Sequence, residues 1–266
     1  MFRWLRDRRR KRALARDPDA AARLAPIIDR YAFLRPLDPA ERAQLAACVT
    51  LFLDEKSLHG AGGLALTEAM RLAVAAQACL PILNLGIDYY RGWVEVIVYP
   101  DEFVQSVRET DEAGVVHEWE EARAGEAWLG GPVILSWADV APEATGAGVN
   151  VAIHEFAHKI DMLNGDADGY PPLHADMHRE TWRAAFAAAY DDFCARVDRD
   201  EETDIDPYAA EGPGEFFAVL SEVFFETPAT VVRDYPALYA QLAAFYRQDP
   251  LARLRRKALH AAGGLG

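Results

Sequence analysis

Cysteine is scarce in this chain: Cys48, Cys79 and Cys194 are the only three in 266 residues. They form no C-x-x-C pair, so neither a thiolate zinc site nor a disulfide framework is expected, and reduced thiols suit a cytoplasmic protein. Long hydrophobic runs are missing as well. No apolar stretch approaches the ~18 residues that a membrane span requires. The charged N-terminal stretch has no apolar segment behind it, so no secretory signal is expected there. Positive charge is also in deficit. Lys and Arg number 28 against 42 Asp and Glu, a formal net charge of -14. A body this acidic repels a phosphate backbone, so direct binding to nucleic acid is not expected. Internal repeats and long low-complexity linkers are absent too.

What the chain does have is core material, with 51% hydrophobic and 11% aromatic residues. The basic charge is concentrated. Arg3, Arg6, Arg8, Arg9, Arg10, Lys11, Arg12 and Arg16 face only Asp7 in the first sixteen residues. This segment, 1–16, reads as a basic tail or short helix, most simply a solvated arm, with contact to an anionic surface or partner as the functional alternative. A helical portion follows over 17–90. Leu24, Ile27, Ile28, Tyr31 and Leu34 keep a helix period across 19–34. Asp38-Pro39-Ala40-Glu41 supplies an N-cap, a first-turn proline and a capping-box Glu for a helix over about 39–55. Thr67 caps a third helix or sits within its first turn, and Pro81 ends that helix. From 93 the texture becomes strand-like, at Trp93–Tyr99, Val115–Trp119 and Pro132–Trp137. Helical patterns then resume. Segregated strands and helices argue a mostly helical α+β fold with a small sheet, its 91–266 portion forming one compact unit with the helices before it.

Chemistry concentrates in Gly148-Val149-Asn150-Val151-Ala152-Ile153-His154-Glu155-Phe156-Ala157-His158-Lys159-Ile160-Asp161, which contains H-E-x-x-H. On a helix His154 and His158 share one face, so both imidazoles reach a single ion. Neutral imidazole is a natural zinc ligand, and a catalytic zinc keeps one position for water. Glu155, beside that face, is placed to take a proton from this water. Ile153, Phe156, Ala157, Ile160 and Leu163 form the apolar stripe that buries the helix. A third ligand must come from elsewhere. In the apolar helix around 214–226, Glu215, Glu222 and Glu226 fall on one stripe, and spacing alone does not choose among them. The E-x-x-x-D of thermolysin-like enzymes is absent because residue 219 is Val. The longer metzincin motif is absent because 161 is Asp and 164 is Asn.

The run HEFAHKIDMLNGDADGYPPL, followed by Tyr208-Ala209-Ala210 and by Glu215-Phe216-Phe217-Ala218-Val219-Leu220-Ser221-Glu222, resembles the Mlc titration factor A family of zinc-dependent peptidases. Similarity extends to Val133–Trp137 and to Phe245-Tyr246-Arg247-Gln248-Asp249-Pro250. The arrangement also resembles the catalytic domain of anthrax lethal factor, which implies a gluzincin-like core. The resemblance implies His154, His158 and Glu215 as ligands of one Zn2+ ion, Glu155 as general base, and Tyr208 as the phenol that steadies the oxyanion. It implies aminopeptidase-type hydrolysis of peptide substrates in the cytoplasm and binding to the repressor Mlc. It also implies that 132–137 is an edge strand that pairs with extended substrate, an ordinary core strand being the alternative. Glu222 and Asp161 read either as carboxylates that hold histidine tautomers or as buried hydrogen-bonded groups. The rival reading is a non-catalytic protein that sequesters a repressor and uses zinc for structure alone. Hydrolysis of a non-peptide amide is a third.

Nearby signals are weaker. Asn164-Gly165-Asp166-Ala167-Asp168-Gly169 matches a calcium loop at its sixth position, but the twelfth is Ala175 instead of Glu, so a polar turn is expected. His174 and His178 are also four apart but enclose no acid, and read as helix surface. Cys194 reads as a small buried apolar residue.

Overall fold

The computed structural model describes residues 2–110, 116–123, 125–128 and 130–263. The segment read as a basic tail or short helix forms a helix, α1 (Phe2–Arg16), which lies on the helical layer. Arg10 explains the docking. Its Nε donates to Glu55 at 2.7 Å and its Nη2 to Asp88 at 2.8 Å, while Arg9 Nε donates to Asp54 at 3.0 Å. The basic segment thus neutralises acids at one end of the layer, and Ala13 is buried beneath it.

The next helix, α2 (Ala20–Ile28), stops well before residue 34. Tyr31, Phe33, Leu34 and Leu37 are buried all the same, in a succession of turns, so apolar spacing there reports burial and not helix. Helix α3 (Pro39–Glu55) has the expected cap in full: Asp38 accepts from Glu41 N and Glu41 returns to Asp38 N, each at 2.9 Å. Strand β1 (Ser57–Gly60) was not legible in the sequence. Helix α4 (Glu68–Cys79) opens with Thr67 accepting from Met70 N.

Five more strands follow: β2 (Glu95–Tyr99), β3 (Phe103–Thr110), β4 (Val116–Arg123), β5 (Gly125–Ala127) and β6 (Val133–Ser136). Gly114 and Val115, where the second strand was expected to begin, lie outside the described residues. Strands β3 and β4 pair antiparallel as a separate ribbon. The main sheet runs β1-β2-β6-β5, parallel through β6 and antiparallel at β5. This corrects one expectation. Residues 132–137 supply an interior strand whose two sides are already paired, and the edges belong to β1 and to three-residue β5.

The rest is helical: α5 (Trp137–Val140), α6 (Val151–Asp161), α7 (Arg179–Val197), α8 (Pro213–Glu226), α9 (Pro228–Asp234), α10 (Pro236–Tyr246) and α11 (Pro250–Gly263). Proline opens α8, α9 and α10 as it opens α3, where its missing N–H costs nothing. Mixed sheet and segregated helices make the fold α+β. Helix α6 packs against β5 and β6 on one side and α8 on the other. Phe156 anchors it, meeting the rings of Tyr90 at 5.3 Å, Phe52 at 5.7 Å and Trp93 at 5.9 Å. Among the described residues, no helix is long and apolar enough to cross a membrane.

The segment after α6 is a tight polar turn. Asn164 Nδ2 donates to Tyr170 O, and Asp168 accepts from Tyr170 N, each at 3.0 Å. Gly169 is essential to it. Its φ is +75°, and a Cβ there would sit 2.3 Å from the Phe186 ring and 2.7 Å from Pro213 O. Gly169→Ala is therefore expected to destabilise the protein by about 2–3 kcal/mol, from left-handed strain plus overpacking, measured as a lower urea midpoint at unchanged slope. A midpoint equal to that of the parent protein would refute this account of the turn.

Candidate metal centre

Asn150 starts the central helix. Its side chain accepts from Ile153 N at 2.9 Å, which caps α6. Two carboxylates from α8 meet the same end. Glu222 accepts from Asn150 N, and Glu226 accepts from Asn150 Nδ2 at 2.9 Å, Gly146 N at 2.7 Å and Gly148 N at 3.0 Å. Negative charge at a helix N-terminus is favourable, so these bonds fix how α6 and α8 cross. Burial pushes the Glu226 carboxyl up to about 7 despite its donors.

The crossing brings His154, His158 and Glu215 together. His154 Nε2 lies 3.0 Å from Glu215 Oε2, His158 Nε2 lies 3.3 Å from the same oxygen, and the two nitrogens are 3.1 Å apart. Ligands about 2.0–2.1 Å from a tetrahedral zinc stand roughly 3.3 Å from one another, so this triangle is the size such an ion needs. The donor set fits in its chemistry too. His154 Nδ1 stands 2.7 Å from Glu222 Oε1. A carboxylate there holds the proton on Nδ1 and leaves the Nε2 lone pair facing the triangle. Burial works against charge on His154, yet Glu215 and Glu222 outweigh it and raise its pKa well above the usual value. Glu215 is shifted the other way. Burial opposes its ionisation, but the two histidines hold its pKa well below the carboxylate range. The pocket thus favours positive charge at its centre. Among the described residues, these three form the one grouping of His, Cys, Asp and Glu spaced to hold a metal ion.

Glu155 stands apart from that triangle. It is 5% exposed, and its Oε2 has no hydrogen-bond partner among the described residues. Burial, with Glu215 and Glu222 adding to it against His154, pushes its pKa up to about 8. A cleft of about 370 Å³ opens over these groups. Its walls include Glu126 and Ala127 of β5, Val149, Asp206 and Tyr208. Tyr208 sits in a 3-10 turn, Pro207–Ala210, capped by Asp206 Oδ1 accepting from Tyr208 N at 2.9 Å. Its ring is 43% exposed and 6.1 Å from that of His154.

All five residues singled out in the sequence therefore surround one cleft. Glu222 is the group that orients a histidine. Asp161 is the other kind of group: its Oδ2 accepts from Gly169 N at 2.7 Å and steadies the turn, and burial pushes its pKa to about 7. His174 is structural, with Nε2 bonded to Phe245 O at 2.7 Å and its ring stacked on Phe245. Cys194 is only half-buried. Glu226, a candidate ligand by its stripe, binds the start of α6 and the loop before it instead. Two contributors escaped the sequence reading: β5 and Lys159. The last is a buried cation whose Nζ donates to Trp128 O and Gly131 O. A cation one turn beyond Glu155, on a helix with an apolar stripe, was the available signal for it.

A mostly helical α+β fold with H-E-x-x-H on a buried helix and a carboxylate from a crossing helix defines a metallopeptidase-type centre. The chain belongs to the family described as glucose-regulated metallo-peptidase M90, whose model matches residues 5–247. Relatives called Mlc titration factor A align along nearly the whole length. The protein from Klebsiella pneumoniae (strain 342) is 38% identical over 228 residues, 85% of this chain and 86% of its own. That from Serratia proteamaculans (strain 568) is 38% identical over 226 residues, 84% and 86%. That from Yersinia pestis (strain Pestoides F) is 37% identical over 226 residues, 84% and 83%.

Proposed function

We propose that this protein is a zinc-dependent peptidase of the aminopeptidase type, acting in the cytoplasm on peptide substrates. The observation that supports it best is the triangle of His154 Nε2, His158 Nε2 and Glu215 Oε2, with sides of 3.0, 3.1 and 3.3 Å, beneath a cleft that also holds Glu155. His154, His158 and Glu215 would hold one Zn2+. Bound there, the ion supplies a Lewis acid that polarises the scissile carbonyl and acidifies a water molecule. Glu155 takes a proton from that water as its oxygen joins the carbonyl carbon. The same carboxyl then gives the proton to the leaving nitrogen as the C–N bond breaks. Tyr208 donates its phenolic hydrogen to the developing oxyanion. Glu222 keeps the His154 ring in one orientation and tautomer throughout.

The relatives' name carries a second role: a protein that titrates Mlc. We propose that this chain likewise binds an Mlc-type repressor, with peptidase chemistry at the cleft as a separate property of the same molecule. The deciding experiment measures release from fluorogenic peptide amides with free and blocked N-termini, before and after removal of metal by a chelator. Cleavage of the free-amine series only, lost with the metal and restored by one equivalent of zinc, is the expected result. A metal-loaded protein that cleaves neither series yet retains the repressor on a column would leave the binding role alone standing.

A further inference from the structure

Strand β5 begins at Gly125, and the absence of a side chain there has a local purpose. Gly125 is not among the glycines with positive φ, so its backbone conformation would accept any residue. Space is what forbids one. A Cβ at 125 would lie 2.5 Å from Glu155 Oε1, 2.7 Å from Glu155 Cγ and 2.7 Å from Val151 Cγ1. The Glu155 carboxylate is buried, and its Oε2 finds no hydrogen-bond partner among the described residues, so packing, including that of Oε1 against Gly125, sets where the carboxylate stands. The strand is in turn fixed to the same helix. Gly125 is in register with Leu135 of β6, and Lys159, one turn beyond Glu155 on α6, binds the carbonyls of Trp128 and Gly131 just past the strand. Helix α6 therefore grips β5 at both ends, and one end of that grip is the contact between Gly125 and Glu155.

We propose that Gly125 is a positioning residue for Glu155: the missing side chain forms the slot that aims the carboxylate into the cleft. The inference rests on the peptidase reading above. An added methyl group cannot be absorbed by a shift of β5 alone, because Lys159 and the β6 ladder restrain it. The flexible Glu155 side chain moves instead. Displacement of a reacting group by about 1 Å costs on the order of 10²-fold in rate.

The test compares Gly125→Ala in the parent protein with Gly125→Ala in a Glu155→Ala background, all zinc-loaded and assayed on one fluorogenic peptide amide. In the parent, kcat is expected to fall about 10²-fold, with KM within about threefold and zinc content unchanged. In the Glu155→Ala background neither Cγ nor a carboxylate is left to displace, and the same substitution costs less than about threefold of the residual rate. Equal losses in both backgrounds would mean that Gly125 acts on the fold and not through Glu155, which overturns the proposal. Should Gly125→Ala alone fail to fold, both arms are run with Val151→Ala added, which removes the other contact. A crystal structure of the Gly125→Ala protein gives a readout free of activity: a displaced Glu155 carboxylate supports the inference, and an unmoved one sinks it. If the parent protein cleaves no peptide, the peptidase reading fails while this structural comparison still decides the role of Gly125.

Discussion

Glu155→Gln is expected to lower kcat for peptide hydrolysis by about 10²–10⁴-fold, the range typical of a lost general base, while zinc content stays at that of the parent. The two halves of this result follow from different observations. The change is isosteric, so the packing against Gly125 and Val151 survives. Metal is retained because Glu155 is not part of the triangle formed by His154, His158 and Glu215. Activity is lost because an amide cannot accept the proton that the carboxylate takes. Elemental analysis and steady-state kinetics on the same preparation check both. A Gln variant that cleaves at the parent rate would refute the role given to Glu155. A variant that loses its zinc would show instead that the carboxylate is a ligand.

The second large effect separates two glutamates on one helix. Glu215→Ala is expected to weaken zinc binding on the order of 10³-fold, since the ~10–16 kcal/mol of a protein zinc site is shared among a few ligands. Glu222→Ala leaves the three ligands in place but removes the partner of His154 Nδ1, and is expected to cost about 10–100-fold. Competition with a chromogenic chelator measures both constants on one scale. Glu222→Ala should also destabilise the apoprotein, because Asn150 N at the start of α6 loses its acceptor. Glu215→Ala leaves that backbone acceptor in place and removes the carboxylate's contacts with the two imidazoles. A Glu222 variant with the weaker zinc affinity of the two would overturn the ligand assignment.

Local signals in the chain read well wherever a few adjacent residues decide the outcome. The Asp38 capping box and the Thr67 cap stand where the sequence placed them, because an N-cap bonds within its own first turn. Apolar periodicity failed over 29–37, where Tyr31 and Leu34 are buried by turns that pack onto the layer and not by a helix. Strands β1 and β5 were missed for a related reason. Four residues and three residues are too short to show a period, and their partners lie far along the chain or across a turn. Hence the edge of the sheet went to the wrong segment: being an edge is a property of neighbours.

The motif itself was determined by the sequence. His154 and His158 four residues apart on an amphipathic helix must present two nitrogens to one point, whatever surrounds them. Which carboxylate joins them was not. Glu215, Glu222 and Glu226 share one stripe of α8, and nothing in their spacing ranks them. The crossing of α8 over α6 ranks them, because each turn of helix advances the chain about 5.4 Å and so gives each glutamate a different level of α6 to meet. Glu215 meets the two Nε2 atoms, Glu222 the far side of His154, and Glu226 the loop that starts the helix.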